Sequence, residues 1–107
     1  MQLDVEIDDK SYPLNVPEAL LLEAVEFFEK MDSDMNCGWQ MSRWWVPDPD
    51  ETQRCQIVAD KLLTALQQQN EEFAMLMAAY ILHHKPDTRR IRLNTDGEIQ
   101  GNEFFAS

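Results

Sequence analysis

The sequence predicts a single α+β domain over residues 1–107, because two kinds of apolar periodicity occupy different parts of it. Near both ends, apolar residues alternate with polar ones, which is typical of strands with one buried face. In the middle they recur every three or four positions, as in helices that pack on a core. The architecture we expect is an N-terminal β-hairpin and a C-terminal strand that form a small antiparallel sheet, packed against three helices.

Residues 2–16 predict the hairpin. Leu3, Val5 and Ile7 alternate with polar residues, and the same period resumes at Tyr12 after a polar turn. Alternation on both sides of a polar turn is the usual pattern of a hairpin. Pro13 has no backbone N–H for a second neighbour, so we expect the second strand to lie at the edge of the sheet.

The first helix is predicted to begin at Pro17, because proline fits the first turn of a helix. Gly38 suits the position that follows a helix end, so we expect the helix to stop there. An extension to Trp44 with a kink at Gly38 is the alternative. The polar side of this helix is acidic and consists of Glu23, Glu26, Glu29 and Asp32.

Two further helices are predicted in the central part of the chain. Asp48, Pro49 and Glu51 form a start signal in which Asp48 is the N-cap. After a short polar connection, a helix from about Glu71 to His84 should pack antiparallel to the one before it. This third helix has almost no polar face, so it is either buried on most sides or forms the interface of a homodimer.

The C-terminal strand is predicted at Ile91 and Leu93, which alternate with Arg90 and Arg92. Its basic outward face complements the acidic outward face of the first strand, and opposite charges on neighbouring strands attract. We therefore expect the last strand to return beside the first one. A turn signal at residues 96–97 favours a short fourth strand after it.

The composition limits the class of partner. The chain holds nine Lys and Arg against twenty Asp and Glu, which gives a formal net charge of −11 and a pI near 4.4. Such a field repels phosphates and anionic lipids, so we expect neither nucleic acid nor a membrane as partner. It favours a basic partner, and it also keeps a small protein soluble. The N-terminus does not resemble a secretory signal and the two cysteines suit free thiols, so we expect a cytoplasmic location.

The sequence offers little for catalysis or cofactor binding. It lacks a Gly-x-Ser-x-Gly elbow, and its three glycines are too scattered for a phosphate-binding loop. The only soft ligand set is Cys37, Cys55, His83 and His84, whose spacing does not match a structural zinc site. We therefore expect no enzyme activity, no metal and no cofactor. A metal- or thiol-based sensor that uses Cys37, Cys55 and His83 or His84 is the alternative function.

All three tryptophans lie between the first two predicted helices. Trp44 and Trp45 are adjacent, so their rings should point to different sides, and at least one should face outward beside Met41 and Arg43. Exposed Trp, Met and Arg are enriched in protein interfaces. The alternative is that both adjacent rings pack inside the domain.

The leading hypothesis is therefore a small acidic accessory or adaptor protein that binds another protein, with a basic protein or a second copy of the chain as candidate partners. The binding residues would be Met41, Arg43, Trp44 and Trp45, together with the acidic helix face at Glu23, Glu26, Glu29 and Asp32. An inhibitor that mimics the charge of DNA is a further alternative.

Overall fold

The N-terminal hairpin forms where the alternation predicts it. In the computed structural model, which describes residues 1–106, strand β1 (Gln2–Ile7) pairs antiparallel with β2 (Lys10–Asn15). Asp8 takes a positive φ of 55° in the two-residue turn between them. Pro13 lies opposite Asp4, and β2 is an edge strand, as expected for a strand that contains proline.

The first predicted helix is divided into two. Helix α1 (Glu18–Glu23) and helix α2 (Val25–Met35) meet at Ala24, whose φ of −98° and ψ of 13° interrupt the regular helix. The chain then turns at Gly38, which has a φ of 100° and donates its N–H to the carbonyl of Met35 at 3.1 Å. The predicted stop near Gly38 is confirmed, and the extension to Trp44 is wrong.

Helix α3 (Glu51–Gln67) begins two residues later than predicted. Asp50, not Asp48, is the N-cap: its carboxylate accepts from the N–H of Gln53 at 2.8 Å, and its own N–H donates to Gln53 Oε1 at 2.9 Å. Gln53 stands three residues after Asp50, so this choice satisfies two free amides reciprocally. The carboxamide of Asn70 caps helix α4 (Glu71–His84) by accepting from the N–H of Phe73.

The main sheet is mixed and has the strand order β2-β1-β5-β6, where β5 is Arg90–Leu93 and β6 is Glu103–Phe105. Strand β5 returns beside β1 as expected, and Glu6 contacts Arg90 at 3.4 Å and Arg92 at 3.3 Å. However, β5 runs parallel to β1, and only β6 is antiparallel to β5. The prediction of an antiparallel sheet is wrong here because the helices between β1 and β5 form a long connection, which permits parallel pairing.

The core surrounds helix α4. Seven of its residues are buried, and side chains from both sheet and helices join them in one apolar cluster. Helix α4 therefore does not present the large apolar face that a homodimer through this helix would need. The α+β class is confirmed, and the part of the chain that the structure describes contains four α-helices, the mixed sheet and a second small sheet. Within residues 1–106, no helix is both long and apolar enough to cross a bilayer.

Candidate protein-binding site

The tryptophans lie in a β-hairpin that joins α2 to α3. Strand β3 (Trp39–Met41) pairs antiparallel with β4 (Trp44–Val46), and Ser42 and Arg43 form the turn. We call residues 39–46 the tryptophan hairpin. No strand is predicted here from the sequence, since strands of three residues are too short to show alternation and the turn contains no glycine.

Both adjacent indoles are exposed. Trp44 exposes 66% and Trp45 59% of its surface, whereas Trp39 is partly buried against the core. Successive residues of a strand point to opposite faces, so the two exposed rings lie on opposite faces of the hairpin. The prediction that at least one ring points outward is confirmed, and the alternative with both rings inside is wrong.

Met41 does not belong to this exposed surface. It is fully buried and is part of the core cluster. Trp39 and Met41 are two positions apart and share a face of β3, which attaches the hairpin to the domain. Trp44 is paired with Met41 and shares that face, but it lies at the turn end and remains exposed. The inclusion of Met41 among the exposed binding residues is therefore corrected.

Trp45 packs directly on the backbone of Gly38. A Cβ atom at position 38 would lie only 2.5 Å from a carbon of the Trp45 ring, and the φ of 100° at this position is itself unfavourable for other residues. Glycine therefore allows both the sharp exit from α2 and the close approach of the ring. The ring is exposed to solvent on one side and supported by backbone on the other.

The turn of the tryptophan hairpin is hydrogen-bonded to a loop that is distant in sequence. Ser42 has a φ of 59°, which is uncommon for a residue other than glycine. Its hydroxyl donates to the carbonyl of Gly97 at 2.9 Å and accepts from the N–H of Ile99 at 2.9 Å. The side chain of Gln40 also donates to the carbonyl of Ser42. No sequence signal identifies Ser42 as a positioning residue, because its partners are far away in the chain.

Carboxylates flank the hairpin on both sides. Asp48 and Asp50 follow β4 directly and are exposed, and Asp96 and Glu98 stand on either side of Gly97 in the loop bonded to Ser42. Arg43 in the turn is exposed and is the only basic residue of the tryptophan hairpin. The segments next to the two indoles are therefore predominantly acidic, although Arg54 lies 3.8 Å from Asp48 and Lys61 lies over Trp39.

The acidic face of the first predicted helix is only partly available. Glu23, Glu26 and Glu29 are exposed, but they belong to two separate helices. Asp32 instead faces inward: it accepts from the hydroxyl of Tyr80, and one of its oxygens lies 3.3 Å from His84 Nε2. Because Asp32 is engaged inside the chain, its inclusion in the binding surface is corrected.

Arg54 explains why Asp32 turns inward. Its guanidinium contacts the Asp32 carboxylate at 3.4 Å and donates to the backbone carbonyl of the same residue at 3.0 Å. It also donates to Asn36 Oδ1 at 2.7 Å and to the carbonyl of Pro49 at 2.9 Å. One side chain of α3 thus bonds the end of α2 and the segment that leaves the tryptophan hairpin.

The four residues of the sensor alternative are not brought together. Cys37 is exposed next to the hairpin, whereas Cys55 is buried in α3, and desolvation raises the pKa of its thiol to about 12. His83 packs against Phe28 with ring centroids 5.3 Å apart. Among the residues that the structure describes, no three His, Cys, Asp or Glu side chains are placed to hold a metal ion.

Comparisons with known proteins do not add a relative. No protein-family model, no curated protein and no solved structure matches the chain.

Proposed function

We propose that this protein is a non-enzymatic adaptor that binds another protein through the tryptophan hairpin, with Arg43, Trp44 and Trp45 as the main contacts. The observation that carries the proposal is the exposure of two adjacent indoles, at 66% and 59%. Exposed aromatic rings next to an arginine have the composition of residues that dominate binding energy in protein interfaces.

The two rings are large enough to contribute a substantial part of the binding free energy. A tryptophan side chain buries about 150–250 Å² when it is fully covered. At roughly 25 cal/mol per Å², covering the exposed part of each ring contributes about 3 kcal/mol before the costs of association are subtracted. Two such rings are enough to serve as the centre of a small interface.

The hairpin is also held in place before a partner arrives. Met41 attaches it to the core, Trp45 packs on Gly38, and Ser42 bonds the loop at Gly97 and Ile99. A preorganised surface loses less conformational entropy on binding than a flexible one. This rigidity supports a recognition surface rather than a chance exposure of apolar residues.

The acidic helices provide a second, weaker contact in the proposal. Helix α2 leads directly into the hairpin, and Glu26 and Glu29 on it are exposed, as is Glu23 on α1. Exposed charges at the rim of an interface change the rate of association more than its strength. Both cysteines are free thiols, which fits a reducing compartment, and we propose that the protein acts in the cytoplasm.

The experiment first uses site-specific photocrosslinking from position 43 to identify the partner. That partner is then purified without the crosslink, and its affinity for the parent protein and the variants is measured. We expect Trp44→Ala and Trp45→Ala each to weaken binding by at least tenfold, because each truncation removes a large contact area. The thermal midpoint of Trp44→Ala should stay within about 3 °C of the parent, since the ring is mostly in solvent.

Leu22→Ala is the matched control, because Leu22 is another apolar side chain that is largely exposed, at 79%, but lies on α1. We expect this variant to bind as the parent does. Equal affinity of the parent and the Trp44→Ala, Trp45→Ala double variant would contradict the proposal. So would a loss of binding that merely follows unfolding of the variants.

A further inference from the structure

Cations of the chain lie over the partly exposed rings of Trp39, Phe104 and Phe105. The ammonium of Lys61 lies 4.8 Å from the centre of the Trp39 ring, and that of Lys85 lies 5.9 Å from the Phe104 ring. The Phe105 ring is approached by two guanidiniums, from Arg90 at 4.5 Å and from Arg92 at 5.3 Å. Each arrangement places positive charge over the negative face of an aromatic ring.

Trp44 and Trp45 carry the two most exposed rings. Within residues 1–106, no lysine or arginine of the chain lies over Trp44 or Trp45, although tryptophan has the ring face that attracts cations most strongly. Arg43 is the nearest basic residue in sequence, but its guanidinium is not placed over either ring. The solvent-exposed face of each indole thus remains available to a cation from outside the chain.

The charges beside the hairpin would attract such a cation. The segments 39–51 and 94–100 contain five carboxylates, from Asp48, Asp50, Glu51, Asp96 and Glu98, and a single basic residue, Arg43. Asp48 lies 3.8 Å from Arg54 and the Asp50 carboxylate caps α3, so Asp96 and Glu98 are the pair on which the attraction mainly depends. The two segments meet where Ser42 bonds Gly97 and Ile99. A positive charge over an indole would therefore also gain from nearby carboxylates, and the net charge of −11 would steer it towards the protein.

We infer that the partner presents an arginine-bearing segment whose guanidinium stacks on the exposed face of Trp44 or Trp45 and pairs with the flanking carboxylates. This inference rests on the proposed function and adds the chemistry of the partner. Guanidinium suits the site better than ammonium, because it is flat, is weakly hydrated and can stack on an indole while donating sideways to carboxylates.

The test uses three short synthetic peptides that alternate glycine with arginine, lysine or citrulline. Citrulline has the shape of arginine without its charge, so it separates the charge from apolar contact. Binding is followed through the indole N–H signals in two-dimensional NMR spectra, which resolve Trp44 and Trp45 from Trp39. We expect the arginine peptide to bind at least fivefold more tightly than the lysine peptide and at least tenfold more tightly than the citrulline peptide.

Two sets of variants test the two parts of the site. For the ring face, Trp44→Phe and Trp45→Phe should keep part of the affinity for the arginine peptide, whereas Trp44→Leu and Trp45→Leu should lose it, because leucine has apolar area but no aromatic face. For the carboxylates, the Asp96→Asn, Glu98→Gln double variant should weaken binding about threefold to tenfold and reduce its dependence on salt.

The Glu71→Gln, Glu72→Gln double variant is the charge-matched control. These residues begin α4, at the other end of α3 from the hairpin, and the 17 residues of α3 span about 25 Å. We expect this control to change the affinity by less than twofold.

The outcomes separate this inference from the proposed function. Equal binding of the arginine and citrulline peptides, or equal effects of the phenylalanine and leucine variants, would overturn the inference. The proposed function would then still stand if the photocrosslinked partner binds in a tryptophan-dependent and salt-independent way. Failure of the partner itself to depend on Trp44 and Trp45 would overturn both.

Discussion

Cys55 illustrates how burial controls the chemistry of a single residue. The thiol is fully buried, and desolvation is the main reason why its pKa rises to about 12. Burial similarly raises the pKa of Tyr80, with a further contribution from its hydrogen bond to Asp32. Both groups are therefore held in their neutral, protonated forms at neutral pH. A thiol of this kind is a poor nucleophile, since the thiolate is the reactive form.

These shifts predict a loss of stability at alkaline pH. A free thiol in the unfolded chain has a pKa of about 8.5, so above that pH the folded state binds more protons than the unfolded state. The free energy of unfolding should therefore fall as the pH rises from about 9 to 12, by up to about 1.4 kcal/mol per pH unit from Cys55. Urea titrations at several pH values between 7 and 11 measure this dependence.

The Cys55→Ala variant should show a smaller decrease over the same range, although it is less stable at pH 7 because it leaves a small cavity. Cys37→Ala is the matched control, because it removes the exposed thiol instead. An unchanged pH dependence in Cys55→Ala would contradict the assignment of this effect to Cys55.

At the scale of elements, the tryptophan hairpin depends on the contact between its turn and the loop at residues 97–99. The Ser42 hydroxyl makes two hydrogen bonds of 2.9 Å there, while its φ of 59° is strained for a residue with a side chain. The two hydrogen bonds of Ser42 offset the strain of its positive φ, which costs on the order of 1 kcal/mol or more of folding free energy. The orientation of both exposed indoles follows from this balance.

Two substitutions separate the strain from the bonds. Ser42→Ala keeps the strain and loses both hydrogen bonds, so we expect it to lower the free energy of unfolding by about 1–2 kcal/mol. Ser42→Gly loses the same bonds but relieves the strain, and it should cost less than Ser42→Ala. Urea denaturation gives the stabilities, and the indole N–H chemical shifts report the position of the hairpin. A larger loss for Ser42→Gly than for Ser42→Ala would contradict the role of strain.

The elements with a local sequence signal were predictable. The first hairpin, the stop near Gly38 and the helix start at Glu71 follow from alternation, glycine and capping residues that stand close together in sequence. The N-cap of α3 was not predictable in this way, because Asp48 with Glu51 and Asp50 with Gln53 have the same capping-box spacing and the structure uses the second pair. Local patterns fix such boundaries because their hydrogen bonds join residues three or four positions apart.

Features that depend on distant partners were not predictable in the same way. The parallel pairing of β1 with β5 depends on how the helices cross the sheet, and both parallel and antiparallel pairings satisfy the alternation. For the same reason, the sequence indicates Trp44 and Trp45 as a candidate surface but cannot identify Met41 as buried or Asp32 as bonded to Tyr80. Those assignments require the positions of α3 and α4.

At the scale of the whole molecule, the charge of −11 on 107 residues is the dominant electrostatic feature. This charge is not spread evenly, since Arg90 and Arg92 pair with Glu6 on one face of the main sheet. These arginines interrupt the acidic surface there, so that face does not offer the continuous array of carboxylates that a mimic of DNA would need. Most of the remaining acidic side chains lie on the surface and repel one another.

This repulsion predicts that salt stabilises the protein. Added ions screen the unfavourable field between like charges, whereas the few surface ion pairs that they weaken contribute little. We expect the thermal midpoint to rise by several degrees between about 20 and 300 mM NaCl, as measured by differential scanning calorimetry. The same concentrations of KCl should give the same rise if the effect is screening, and a midpoint that falls with both salts would contradict this account.

The position of β1 between β2 and β5 has a consequence for how the protein is made. β1 can pair with β2 as soon as the first hairpin leaves the ribosome, but its other edge must wait for β5, and Glu6 and Arg92 are 86 positions apart. An unpaired strand edge is a site for wrong association while it is exposed. The growing chain therefore carries an incomplete sheet while the helices between β2 and β5 are made, and the native order of strands closes only after β5 and β6 have left the ribosome.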